Sequence, residues 1–173
     1  MTAVNDEARP EPFDQLLRSH RRLEERLADL KTAVRAPELD EVAVRDVSEF
    51  LARQVQRHEQ DEEKSLFPRL ARVPELGGVL AQIAEEHAAH HALHERLERI
   101  VRAFDFAKPT AEHRAELVVV ADALEDAYRT HIDVEEAVVF PAARKALDPR
   151  DLAAIAEEMQ ARRGGGGRRG DRR

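Results

Sequence analysis

The stretch His131-Ile132-Asp133-Val134-Glu135-Glu136-Ala137-Val138-Val139-Phe140-Pro141 repeats an earlier one, His58-Glu59-Gln60-Asp61-Glu62-Glu63-Lys64-Ser65-Leu66-Phe67-Pro68, position for position. The shared pattern is His-x-x-x-Glu-Glu-x-x-[Leu/Val]-Phe-Pro. On a helix, residues four apart point the same way one turn apart, so each copy offers an imidazole and a carboxylate to one point in space. A chain with two such copies is constrained to helices whose polar points face each other, which is how a helix pair grips a cation.

The rest of the chain supplies the helices. Pro12 can open a first one, along which Phe13, Leu16, Leu17, His20, Leu23, Leu27, Leu30 and Val34 recur at steps of three and four. Pro37 ends it, and Asp40 caps a second helix whose inward stripe reads Val44, Val47, Leu51, Val55, His58, Glu62. Pro68 should kink that helix just beyond Glu62, and Pro74, Gly77 and Gly78 mark the next turn. A third helix carries Leu80, Ile83, His87, His91, His94, Leu97 and Val101 near one face, with His90 at its margin. Pro109 and Thr110 open a fourth, with the stripe Leu117, Val120, Leu124, Ala127, His131, Glu135, Val138, and Asp148-Pro149 caps a short fifth, Asp151 to about Ala161.

Composition agrees. The 173 residues are 42% hydrophobic and 36% charged, with no Trp and one Tyr, as amphipathic helices require. Apart from Val118-Val119-Val120, β-branched clusters are nearly absent. The expected class is all-α, an up-down-up-down four-helix bundle with a short C-terminal fifth helix. Residues 1–12 read as a disordered N-terminal segment, 13–161 as the bundle domain, and 162–173, where four glycines are flanked by arginines, as a disordered tail.

In an up-down bundle, two residues share a level when the turn between their helices lies midway between them in sequence. The midpoint of His20 and His58 is residue 39, beside Pro37 and Asp40; that of His58 and His87 falls beside Pro74; that of His87 and His131 is Pro109. All four helices therefore present a ligand at about one height. Setting His58 on His131 also aligns Leu51 with Leu124 and Val55 with Tyr128, and setting His20 on His87 aligns Leu16 with Ile83 and Leu30 with Leu97. The two halves read as a duplication.

Each helix carries His-x-x-x-[His/Glu]: His20 to Glu24, His58 to Glu62, His87 to His91, His131 to Glu135. A lone buried histidine is usually a packing residue, and His113, on the polar part of its helix, is read that way. A whole level of imidazoles and carboxylates without cations would cost several kcal/mol in desolvation. Five histidines and two carboxylates exceed what one ion coordinates, so two ions are expected, with the carboxylates bridging. With no Cys, every donor is nitrogen or oxygen, and neither a disulfide nor a thiolate nucleophile is available.

At these residues the sequence resembles the hemerythrin-like, or HHE cation-binding, family, single-domain four-helix bundles with an oxygen-bridged di-iron pair. The resemblance covers roughly Phe13 to Leu147. It implies an oxo- or hydroxo-bridged pair of irons, one held by His20 and His58 and the other by His87, His91 and His131, bridged by Glu62 and Glu135. Invertebrate oxygen carriers of this family place the second bridging carboxylate, an Asp, five residues after its His. Here Glu135 stands at four and Glu136 at five, and the duplication favours Glu135. Helix three also holds His90 with His94; alignment with His20 favours His87 and His91 as the ligand pair, leaving His90 and His94 as alternatives or as packing residues. Glu24 reads as solvated, and Tyr128, one turn from His131, as core or as a hydrogen-bond donor. Manganese or zinc suits the same atoms.

The iron with fewer imidazoles keeps an open position, so the resemblance implies a carrier, sensor or stress-response protein that binds O2, NO or peroxide. The rival is a di-iron enzyme that decomposes hydrogen peroxide or reduces NO at the same atoms, and the sequence does not separate the two. Iron storage and a metal-free interaction bundle are lesser alternatives. A net charge of −7 argues against nucleic acid, the basic tail excepted, and no apolar run is long enough for a bilayer. A cytoplasmic monomer or small homo-oligomer is the expectation.

Overall fold

The structure is a computed structural model that describes residues 11–164. They form five helical rods: α1 (Pro12–Arg35), α2 (residues 41–70), α3 (Gly77–Ala103), α4 (residues 111–146) and α5 (Pro149–Gly164), with no strand among the described residues. The class is all-α and the rods pack as a bundle: α1 lies against α2 and α4, and α3 against α4 and α2.

The breakers act where the sequence places them. Asp40 caps α2, its Oδ1 accepting the Ala43 N–H at 3.0 Å, and the Thr110 hydroxyl accepts the His113 N–H at 3.2 Å to cap α4. Arg114 donates to the carbonyls of Ala36 and Pro37, satisfying the open end of α1. Gly77 and Gly78, expected in the turn, instead form the first turn of α3, and Pro74–Leu76 makes a 3₁₀ turn before it.

Pro68 and Pro141 lie inside α2 and α4. A proline lacks the N–H for its helical bond, and its ring crowds the carbonyl four residues back. Both helices absorb this in a widened π-helical turn just upstream, Glu62–Leu66 and Glu135–Val139, where the N–H groups of Phe67 and Phe140 reach back five residues to the carbonyls of Glu62 and Glu135. The kink expected beyond Glu62 is thus a π turn, repeated beyond Glu135, and α2 carries a further π turn at Leu51–Val55. One expectation changes with it: Val138 is 43% exposed, and Val139 takes the buried position, because a turn that closes on five residues carries the next one inward.

The apolar interior is in two pieces. One contains Leu23, Leu27, Leu30, Val47, Leu51, Val55, Leu97, Leu117, Leu124 and Tyr128; the other contains Phe13, Leu16, Leu66, Leu70, Ile83, Val139, Phe140, Ile155 and Met159. On each of the four long rods the boundary between the pieces falls at the polar residues: His20 lies between Leu16 and Leu23, His58 and Glu62 between Val55 and Leu66, His87 between Ile83 and Leu97, and Glu135 between Ile132 and Val139. A polar layer therefore separates two dry cores.

α5 closes the end of the second core with Ile155 and Met159, both fully buried. It is longer than expected, because Arg162 and Arg163, assigned to the tail from sequence, belong to its last turn. Asp61, fully buried on α2, accepts from Arg162 Nε and from Arg163, each at 2.6 Å. Arg69 adds a pair with Glu158 at 2.7 Å. The remainder of the glycine-arginine tail, and the N-terminal segment before Glu11, lie outside the described residues.

Truncating the chain after Ala161 strands the Asp61 carboxylate in the interior, whereas truncation after Gly164 keeps both guanidinium partners. The first should cost about 3–5 kcal/mol of unfolding free energy and the second less than about 0.5 kcal/mol, measured by chemical denaturation of the two proteins side by side.

Candidate metal centre

Six side chains from α1, α2, α3 and α4 converge in the polar layer: His20, His58, Glu62, His87, His131 and Glu135, all buried. They form two groups that share the carboxylates. His20, His58, Glu62 and Glu135 bring their donor atoms within 4.8 Å of one another, and so do Glu62, His87, His131 and Glu135.

The carboxylates divide their oxygens between the groups. Glu62 Oε1 lies 3.3 Å from His58 Nε2, while its Oε2 lies 3.6 Å from His87 Nε2. Glu135 Oε2 lies 3.1 Å from His20 Nε2, while its Oε1 lies 3.4 Å from His131 Nε2. Across each group the imidazoles face nitrogen to nitrogen, His20 to His58 at 3.0 Å and His87 to His131 at 3.3 Å.

The outer nitrogens decide what these inner atoms are. His20 Nδ1 lies 2.8 Å from Glu136 Oε1, His87 Nδ1 lies 2.8 Å from Glu63 Oε1, and His131 Nδ1 lies 2.9 Å from Glu86 Oε2. An ionised carboxylate only accepts, so each of those Nδ1 atoms carries a proton, and wherever the ring is neutral its Nε2 lone pair turns inward. Lone pairs then face lone pairs beside two carboxylates, and no oxygen of Glu62 or Glu135 has a hydrogen-bond donor. Burial, and then the Glu135 charge, raises Glu62 well above the usual carboxylate range. Burial drives His58 well below the usual histidine range; it opposes the charged form of His20 too, but Glu135 and Glu136 outweigh it and raise that group. A layer of donors aimed at two points and left without protons to share has the chemistry of a cation site, and the residues fit a pair of ions.

Each motif copy serves the opposite half. Glu63 holds His87, and Glu136, weighed from sequence as an alternative bridging residue, holds His20. The phenylalanines follow suit: Phe67 lies parallel to the His87 ring at 6.3 Å and Phe140 parallel to the His20 ring at 5.5 Å. Sequence reasoning passed over Glu63, Glu86, Phe67 and Phe140. Three of the four stood in the repeated motif itself, where an exact match beyond the first carboxylate was the available signal.

His91 is not brought into either group. Its side chain is 46% exposed and its Nε2 lies 2.6 Å from Glu59 Oε2. Four residues carry a helix 40° past a full turn, which here swings His91 toward α2, while His90, on the other flank of His87, turns toward α4. His90 is buried, with its ring 4.1 Å from that of Tyr128 and 4.9 Å from that of His131, and its Nδ1, which makes no hydrogen bond, lies 3.8 Å from Glu59 Oε1. Tyr128 lies 2.7 Å from His94 Nε2 and donates to Glu59 Oε1 at 3.3 Å. Burial pushes His94 down to about 4 and raises the Tyr128 hydroxyl well above its ordinary range. Glu59 is a buried residue that the sequence did not single out; the imidazoles around it, against the effect of burial, keep it below the usual carboxylate range. Glu24 and His113 are exposed.

Among the described residues no helix is long and apolar enough to cross a membrane. No curated protein matches the chain. The model of one family, the hemerythrin HHE cation-binding domain, matches residues 11–143, which take in α1, α2, α3, α4 as far as Ala143 and every member of the convergent set. The chain belongs to the hemerythrin HHE cation-binding family.

Proposed function

We propose that the polar layer holds two transition-metal ions, iron in the native protein, and that the pair binds a small ligand such as O2, NO or peroxide. One observation carries the reading: the two oxygens of Glu62 and the two of Glu135 each turn toward a different imidazole pair. His20 and His58 would hold one ion, His87 and His131 the other, and both glutamates would bridge. The nearness of equivalent residues on all four rods also supports the up-down-up-down order. His90, buried with its ring 4.9 Å from that of His131, is better placed than His91 as an additional imidazole.

When bound, such a pair supplies an electron-rich or electron-poor centre with coordination positions that four protein donors leave free. The chain's own residues do the rest. Glu63, Glu86 and Glu136 fix the tautomer and aim of three imidazoles. The apolar cores on both sides close the interior of the layer to large solutes from above and below, so the partner is diatomic or peroxide-sized.

The rival reading, turnover of peroxide or NO, is favoured by a different feature. Tyr128, His94, Glu59 and His91 form a hydrogen-bonded chain from beside His131 to the surface, which suits proton delivery during turnover. Carriage needs no such chain.

Metal analysis of protein produced with iron should find two ions per chain. His58→Ala and His131→Ala should lose metal and thermal stability together, because binding is linked to folding, whereas His91→Ala should keep its metal; a His58→Ala protein with full metal content would sink the assignment. Glu63→Gln and Glu136→Gln should keep the fold but bind metal about 10–100-fold more weakly, measured by chelator competition. Mixing reduced protein with O2 in a stopped-flow spectrometer separates carriage from turnover. Carriage gives a spectrum that reverses under vacuum, and irreversible bleaching with steady consumption of added peroxide gives the enzyme.

A further inference from the structure

The duplication is broken at one place. Of the four imidazoles whose Nε2 atoms face the layer, three give Nδ1 to a carboxylate, and His58 alone gives it to nothing: its Nδ1 is buried and without a partner. The reason lies at a single position. His131 is held by Glu86, the residue before His87; in the first half the residue before His20 is Ser19, whose short side chain donates to the Gln15 carbonyl on its own helix at 3.1 Å.

His58 and Ser19 both belong to the lining of an open cavity of about 610 Å³. Its walls are cationic in a protein of net charge −7: five arginines line it, against one carboxylate, Glu25. Arg163 is engaged by Asp61, and Arg22 lies over the Phe50 ring at 5.7 Å. Arg18, Arg21 and Arg57 make no ion pair or hydrogen bond among the described residues. Elsewhere on this surface arginines are commonly paired, as Arg35 is with Asp122 and Arg144 with Glu11. The size suits a small molecule rather than a lone halide, and unpaired guanidinium groups bind phosphate and carboxylate oxygens through two parallel donors.

We propose that this cavity is a binding site for a small anion carrying a phosphate or carboxylate group, gripped by Arg18 and Arg57 and accepting the Nδ1–H of His58. The ligand supplies from outside the acceptor that the chain provides internally for His20, His87 and His131. Its occupancy would fix the aim of His58 and strengthen that residue as a donor, linking the anion to the metal-holding layer. The inference rests on the reading of the layer as a metal centre for the assignment of the proton to Nδ1.

The test is calorimetric titration of inorganic phosphate, and separately of citrate, into the full-length metal-loaded protein in chloride buffer, with metal content measured on the same samples. Saturable one-site binding of phosphate, of citrate or of both is expected, and the tighter of the two identifies the class of ligand. The Arg18→Gln/Arg57→Gln double variant should weaken it by about tenfold or more. Ser19→Glu, which places a carboxylate where the second half has Glu86, should abolish it while retaining metal. Absence of saturable binding by both probes in fully metal-loaded protein overturns the proposal, as does binding undiminished in the arginine variant. Protein that holds no metal after production with iron overturns the metal reading instead, whatever its anion binding.

Discussion

Two carboxylates in the middle of the bundle, with all four oxygens buried and without a donor, are the constraint around which this structure is arranged. Glu62 and Glu135 face each other across one layer from the diagonally placed α2 and α4, and burial together with their mutual repulsion disfavours ionisation of Glu62. An arrangement of this kind is unfavourable as a set of neutral hydrogen-bonding groups, because the imidazoles opposite spend their protons outward. It becomes favourable when positive charge occupies the two points on which the lone pairs converge. The dry cores on either side sharpen the contrast, since a charge interaction strengthens where water is excluded. Folding and the proposed metal binding would therefore be coupled: the cores position the donors, and cations would remove the penalty of burying them.

The duplicated motif explains how so short a pattern specifies so much. Its histidine and first glutamate face the layer. Its second glutamate crosses to the other half to hold an imidazole there, and its phenylalanine stacks on that same ring. Its proline, lacking an N–H, forces the π turn that begins at the inward glutamate. The two copies match through all of these positions because each completes the other's site, and a lone copy would leave both its inward-facing histidine and glutamate and its orienting glutamate without a target.

The level of the site was legible in the sequence because it depends only on counting: helices rise nearly uniformly, so midpoints that fall beside Pro37, beside Pro74 and on Pro109 bring His20, His58, His87 and His131 to one height. Rotation about each helix was less legible. A difference of 100° separates His90 from His91, and the choice between them depends on how α3 rolls against its neighbours, which no periodicity in its own sequence reports. Val138 and Val139 exchange places for a related reason, the π turn having changed the local residues per turn. The extent of α5 was hidden too, because Arg162 and Arg163 read as tail until Asp61, a hundred residues away in sequence, is seen buried against them. Glu63 was visible in the repeat but its target was not, since that target is on another helix.

The departures from two-fold symmetry then matter more than the symmetry. Two halves with identical environments would hold two equivalent ions, and a small ligand would have no reason to choose between them. The chain differs at the positions just outside the convergent set: Ser19 stands where Glu86 would be, Leu23 where His90 would be, and Val55 where Tyr128 would be. Each difference makes the His87 and His131 side richer in polar contacts and the His20 and His58 side poorer, with His58 left to a cationic cavity. A donor whose outer nitrogen is held by a carboxylate is more basic than one whose outer nitrogen is free. In the proposed centre the ion beside His58 is accordingly the less tightly held of the two, and the more responsive to what enters from outside.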